Sequence, residues 1–125
     1  MYLNAHSYYS LRYGTLSIDQ LLDLSEANGV SVLALTDINT TMGIPEFVKK
    51  AKEKNIKPIA GVEIRDEDEL LFVGIAINRE GFKELNDYIS WHNLNKKKFI
   101  LDRIRFKQVL LLYPWGQKKA SELFD

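Results

Sequence analysis

The sequence predicts an α/β fold in which a largely parallel sheet carries helices on its outside, in open doubly wound or barrel form. Short β-branched or apolar runs alternate with amphipathic segments of helix length through the first half of the chain, the order that builds right-handed βαβ units. Hydrophobic residues make up 46% and charged residues 27% of the 125 residues, the balance of a globular chain able to bury one core. Strand-like runs end on His6, Asp37 and Glu63, and functional groups gather at that C-terminal rim in parallel α/β architectures. One domain, residues 1–125, is expected.

The first strand is expected at residues 2–6. A helix follows over residues 17–28, because Ser17 and Gln20 have capping-box spacing and Ile18, Leu21, Leu22 and Leu24 supply an apolar face. Gly29 stands where a left-handed residue closes a helix. Residues 30–35 form a β-branched, apolar run that predicts a buried strand parallel to the first. The second helix is expected over residues 44–54, with Pro45 in its first turn and Lys49, Lys50, Lys52 and Lys54 toward its negative end. Residues 57–64 and 70–77 read as strands joined by a charged turn, an antiparallel hairpin that breaks the alternation. A third helix over residues 80–92 carries Phe82, Leu85, Tyr88 and Ile89 at helical spacing, a short helix is expected over residues 99–106, and a fifth strand over residues 109–113 ends at Pro114.

Composition removes several function classes. Cysteine is absent, so thiolate metal sites and disulfides are excluded and His and carboxylates remain as protein ligands. No run approaches the roughly 20 apolar residues of a bilayer helix, and no basic and apolar leader precedes the first strand, which together predict a cytoplasmic protein without a membrane. No glycine-rich phosphate loop follows a strand. Lys plus Arg equals Asp plus Glu at 17 each, so any nucleic-acid surface is local. The candidate is Lys96, Lys97, Lys98, Arg103, Arg105 and Lys107, opposed only by Asp102; a solvated charged surface is the alternative.

His6, Asp37 and Glu63 offer one imidazole and two carboxylates to a single rim, a donor set that suits zinc, manganese or iron. A turn-organising role for Asp37, ahead of Asn39, Thr40 and Thr41, competes with that reading. His92 has no imidazole or acid at helical spacing and reads as a surface or packing residue. Tyr8, Tyr9, Arg12 and Tyr13 form an aromatic and basic cluster that either packs the first loop or stacks bases.

The segments YLNAHSYYSLRYGTLS, VLALTDINTTMGIPEFVKKAKEKNIKPIAGVEI and LLFVGIAINREGFKELNDYIS resemble, in order and spacing, the opening blocks of the PHP (polymerase and histidinol phosphatase) domain of bacterial DNA polymerase III alpha subunits. The resemblance covers about residues 1–90. It implies a distorted β/α barrel, of which about five strands with helices outside are present and later strands are missing. It also implies a metal site carried over to His6, Asp37 and Glu63. Asn4 and Ile38 replace the imidazoles usual in the His-x-His and Asp-His blocks, which implies a degenerate site with no catalytic residues and no cofactor, or zinc, manganese or iron if the remaining ligands are occupied.

The function so implied is structural: the N-terminal domain of a replicative, DNA-directed DNA polymerase. Its partners would be the rest of that subunit and the replisome, with DNA reached through the parent protein. Two alternatives stay open: an active metal-dependent phosphoesterase or 3′–5′ exonuclease, and a module that binds DNA or a proofreading partner. A sheet of about five strands leaves an edge with unpaired backbone groups, which predicts a homo-oligomer.

Overall fold

The computed structural model describes residues 1–10, 14–99 and 105–114. The elements run β1 (Tyr2–Ala5), α1 (Ile18–Ala27), β2 (Val32–Leu35), α2 (Ile44–Glu53), β3 (Lys57–Asp66), β4 (Glu69–Ala76), α3 (Arg79–Leu94) and β5 (Val109–Leu112). They build one five-stranded sheet in the order β1-β2-β3-β4-β5. The first two pairings are parallel and the last two antiparallel, so the sheet is mixed rather than largely parallel. The hairpin after β3 is what reverses the direction, since its turn is too short for a crossover helix.

Local sequence explains most boundaries. The Ser17 side chain accepts from the Gln20 N–H while the Gln20 side chain accepts from the Ser17 N–H, the reciprocal cap expected at α1. At the other end Gly29 takes φ +69°, and the Val30 N–H donates to the Ser25 carbonyl. That bond draws Val30 into the helix closure and delays β2 to Val32, two residues later than expected. α2 begins with Pro45 in its first turn and ends before Asn55, whose φ of 57° replaces the more usual glycine. The β3–β4 turn is tighter than expected because Glu67 adopts φ 53°, extending β3 to Asp66. Asn78 caps α3 by accepting from the Gly81 N–H, which starts that helix at Arg79. Of the short helix expected over residues 99–106, Phe99, Arg105 and Phe106 are not helical and residues 100–104 lie outside the described residues.

Helices α1 and α2 lie together on the parallel half. Ile18 and Leu22 of α1, Ile44, Phe47 and Ala51 of α2, and Leu33 and Leu35 of β2 form one buried cluster. Lys50 and Lys54 do more than face the helix dipole: Lys50 Nζ lies 2.8 Å from both Asp19 and Glu46, and Lys54 Nζ lies 2.7 Å from Asp23. These are solvent-screened pairs that fix the helix register more than they add stability. α3 covers the antiparallel half through Leu85 and Ile89, packed on Val62, Ile64 and Phe72. A small third cluster, Ala34, Val73 and Ile75, is distinct from both. Glu63 pairs directly with Val73 across β3 and β4. Because successive strand side chains alternate between faces, it points away from its neighbours Val62 and Ile64, which pack under α3. No helix among the described residues is long and apolar enough to cross a membrane.

Removing the Ser17 hydroxyl strips the α1 cap of its acceptor. Ser17→Ala is expected to lower unfolding free energy by about 1 kcal/mol, with Ser17→Asp retaining most of it, as read from urea midpoints at an unchanged m-value.

Candidate functional site

Parallel alignment of β1, β2 and β3 brings their C-terminal ends to one rim. The ladder continues past the strand ends: the Thr36 N–H donates to the Ala5 carbonyl, the Glu63 N–H to the Asp37 carbonyl and the Asn39 N–H to the Glu63 carbonyl. His6, Asp37 and Glu63 therefore sit on adjacent chain segments, as their positions predicted. Their side chains, however, separate into two networks.

Asp37 is 2% exposed and belongs to the first loop. Its carboxylate accepts from the Ser7 N–H, the Ser7 hydroxyl and the Ser10 hydroxyl, each at 2.6 Å. The Ser10 oxygen in turn accepts from the Ile38 N–H at 2.9 Å. Both serines are fully buried. Asp37 is thus an organiser, as one sequence reading held, but it organises the loop after β1 rather than its own turn. Gly43 approaches closely: a Cβ there would lie 3.3 Å from Asp37 Oδ2 and 3.0 Å from the Tyr9 ring. Tyr8 and Tyr9 lie with ring centroids 4.7 Å apart, and Arg12 and Tyr13 fall outside the described residues.

Glu63, 1% exposed, forms the second network. Arg65 Nε donates to Glu63 Oε2 at 2.7 Å, and His6 Nε2 lies 3.4 Å from the same oxygen. The Asn4 amide donates to Oε1 at 3.4 Å and accepts from the Thr36 hydroxyl at 2.5 Å. Burial alone would raise the pKa of the Glu63 carboxyl; the His6 imidazole and the Arg65 guanidinium overcome that, and the pKa ends below the ordinary glutamate value. His6 Nε2 is buried and makes no hydrogen bond of good geometry. Ile38, at the second replaced position, contributes only its backbone, in a bridge to Glu63. Among the described residues, no group of three or more His, Cys, Asp or Glu side chains is arranged to hold a metal ion.

Sequence reasoning missed Ser10, Thr36 and Arg65. Arg65 carried a usable signal, since strand positions i and i+2 share a face and it stands two residues after Glu63. The other predicted positions lie elsewhere. Lys96, Lys97 and Lys98 are exposed just after α3, Arg105 is exposed before β5, and Arg103 lies outside the described residues. The Lys107 N–H donates to the Glu84 carboxylate, which fastens that segment to α3. His92 is a packing residue, with Nδ1 2.8 Å from the Tyr88 carbonyl and its ring against Tyr88 and Phe99.

Two tests address these networks. Asp37→Ala would leave buried donors without an acceptor, and a loss on the order of 3 kcal/mol in chemical denaturation is expected. Because the folded-state pKa of Glu63 is depressed, its contribution to stability is complete above the ordinary value of 4.5 and is lost as pH falls through the lower folded value. The stability difference between the wild type and Glu63→Gln should therefore shrink below that pH, as measured by denaturation at a series of acid pH values.

The family model described as the PHP domain matches residues 3–121. A DNA polymerase III subunit alpha of Ureaplasma parvum is 40% identical over 80% of this chain and 10% of its own length. The corresponding subunit of Staphylococcus aureus is 35% identical over 75% of this chain and 9% of its own length. The chain thus spans about a tenth of the curated relatives it matches. Among solved structures, an amidohydrolase from Chromobacterium violaceum with bound sulfate and no metal aligns over 75% of this chain and 33% of its own, at a TM-score of 0.58 and 26% identity. A protein of Bifidobacterium adolescentis described as a metal-dependent phosphoesterase shares the fold at a TM-score of 0.57, over 74% of this chain and 33% of its own, with 20% identity. The chain belongs to the PHP domain family and is homologous to the PHP region of DNA polymerase III alpha subunits.

Proposed function

We propose that this PHP domain is a structural part of a DNA polymerase III alpha subunit and does not hydrolyse phosphate esters. The observation that carries the reading is the filling of both rim carboxylates by protein donors. A catalytic zinc site needs about three protein ligands and an open position for water. Asp37 spends its oxygens on Ser7 and Ser10, and Glu63 faces the fixed positive charge of Arg65. That leaves His6 Nε2 beside an oxygen already engaged. This donor set does not fit a divalent ion, and no water-activating step follows from it.

What the rim does instead is mechanical. Asp37 ties the first loop to β2, and Glu63 joins β3 to the end of β1 through His6 and Asn4. A rigid rim of this kind suits a domain that presents a fixed surface to neighbouring parts of a large polymerase. In that setting the remaining strands would close the barrel that the homology implies, and the domain would meet DNA and the replisome through the rest of the subunit.

The chain dialysed against a mild chelator is expected to retain well below one equivalent of zinc, manganese or iron by elemental analysis. With manganese added, neither the wild type nor His6→Ala should hydrolyse a phosphomonoester or a 3′ DNA end above background. One equivalent of retained metal would overturn the metal-free reading, and a rate that disappears in His6→Ala would revive the phosphoesterase alternative.

A further inference from the structure

The Arg65 guanidinium is held on both sides. Its own backbone is gripped by Asn39, which accepts from the Arg65 N–H at 2.9 Å and donates its amide to the Arg65 carbonyl at 3.0 Å. Asn39 makes that double contact from a left-handed conformation, φ 54°, which asparagine tolerates better than most residues. Beyond the backbone, Arg65 Nη1 donates to the Asp68 carbonyl at 3.0 Å while Nε reaches Glu63 Oε2 at 2.7 Å. The side chain is only 18% exposed. The β3–β4 pairing shifts register beside it, between Ile64 and Arg65.

We propose that Arg65 is the permanent cation of this rim: its guanidinium occupies the position on Glu63 Oε2 that a divalent metal ion would need, and so excludes that ion. The inference rests on the structural reading above and names the residue responsible for it. A buried carboxylate requires a positive partner or strong donors. A metal ion and an arginine both meet the requirement, but they cannot share one oxygen at close range without like-charge repulsion. Arginine remains charged at every physiological pH and keeps its planar geometry without an exchangeable ion. His6 Nε2, which has no hydrogen-bond partner among the described residues, already lies 3.4 Å from the same Glu63 oxygen, and it is the ligand nearest to the place that removal of Arg65 would open.

The test is calorimetric titration of Zn2+ and Mn2+ into the metal-free wild type, Arg65→Met, Arg65→Gln and the double variant Arg65→Met with Glu63→Gln. The expected result is no saturable binding to the wild type and saturable Zn2+ binding to both single variants, at least about tenfold tighter, with thermal stability raised by the metal and both effects absent from the double variant. If either single variant is unfolded without metal, recovery of the far-ultraviolet dichroism on adding Zn2+ supports the assignment. Folded single variants that bind no more metal than the wild type, or unfolded ones that no divalent ion restores, overturn it while leaving the structural reading intact. Stoichiometric binding to the wild type itself would instead overturn the structural reading.

Discussion

A carboxylate withdrawn from water is stable only where other groups fill its lone pairs, and this sheet buries two of them side by side, Asp37 and Glu63. The structure around the rim follows from that requirement. Asp37 draws in the backbone and hydroxyl of Ser7 and the hydroxyl of Ser10, which folds the loop after β1 back over the end of β2. Glu63 draws in Arg65 along its own strand and His6 and Asn4 from β1 and the residue after it. Each carboxylate thus links segments distant in sequence, and the ends of the three parallel strands are fixed relative to one another.

The rim also lies at the seam between two differently built halves. β3 is ten residues long, pairing parallel with β2 through its first residues and antiparallel with β4 through its last. Helices α1 and α2 serve the first half with one apolar cluster, and α3 serves the second with another. Gly61 lies where the two ladders meet; a Cβ there would come within 2.7 Å of the Gly74 carbonyl and 2.8 Å of Thr36. Tight backbone packing at that position and the Glu63 network two residues later hold the halves together. The relatives this chain matches are much longer polymerases, of which it spans about a tenth.

Much of this was legible in the sequence. The capping pair Ser17 and Gln20, the left-handed Gly29, the leading Pro45 and the apolar spacing of α3 each encode a local preference that tertiary packing did not overrule. The same holds for the candidate rim: short strands ending in His6, Asp37 and Glu63 must bring those residues to one edge once the strands are parallel. The family resemblance carried by the first 90 residues was likewise a property of the residues alone.

The partners of those side chains were decided only in three dimensions. Two carboxylates and one imidazole at suitable strand ends look alike in sequence whether they converge on a metal or turn to separate protein donors. The choice depends on side-chain direction and on loops that close across about thirty residues, as between Ser7 and Asp37. Arg65 is the clearest case: its spacing puts it on the face of Glu63, but the contact of its Nε with the carboxylate, beside the Asn39 clamp on its backbone, appears only in the fold. Sequence therefore determined the elements, their order and the composition of the rim. The tertiary structure decided which charges neutralise one another, because that balance is set by distances of a few ångströms between chains that only folding brings together.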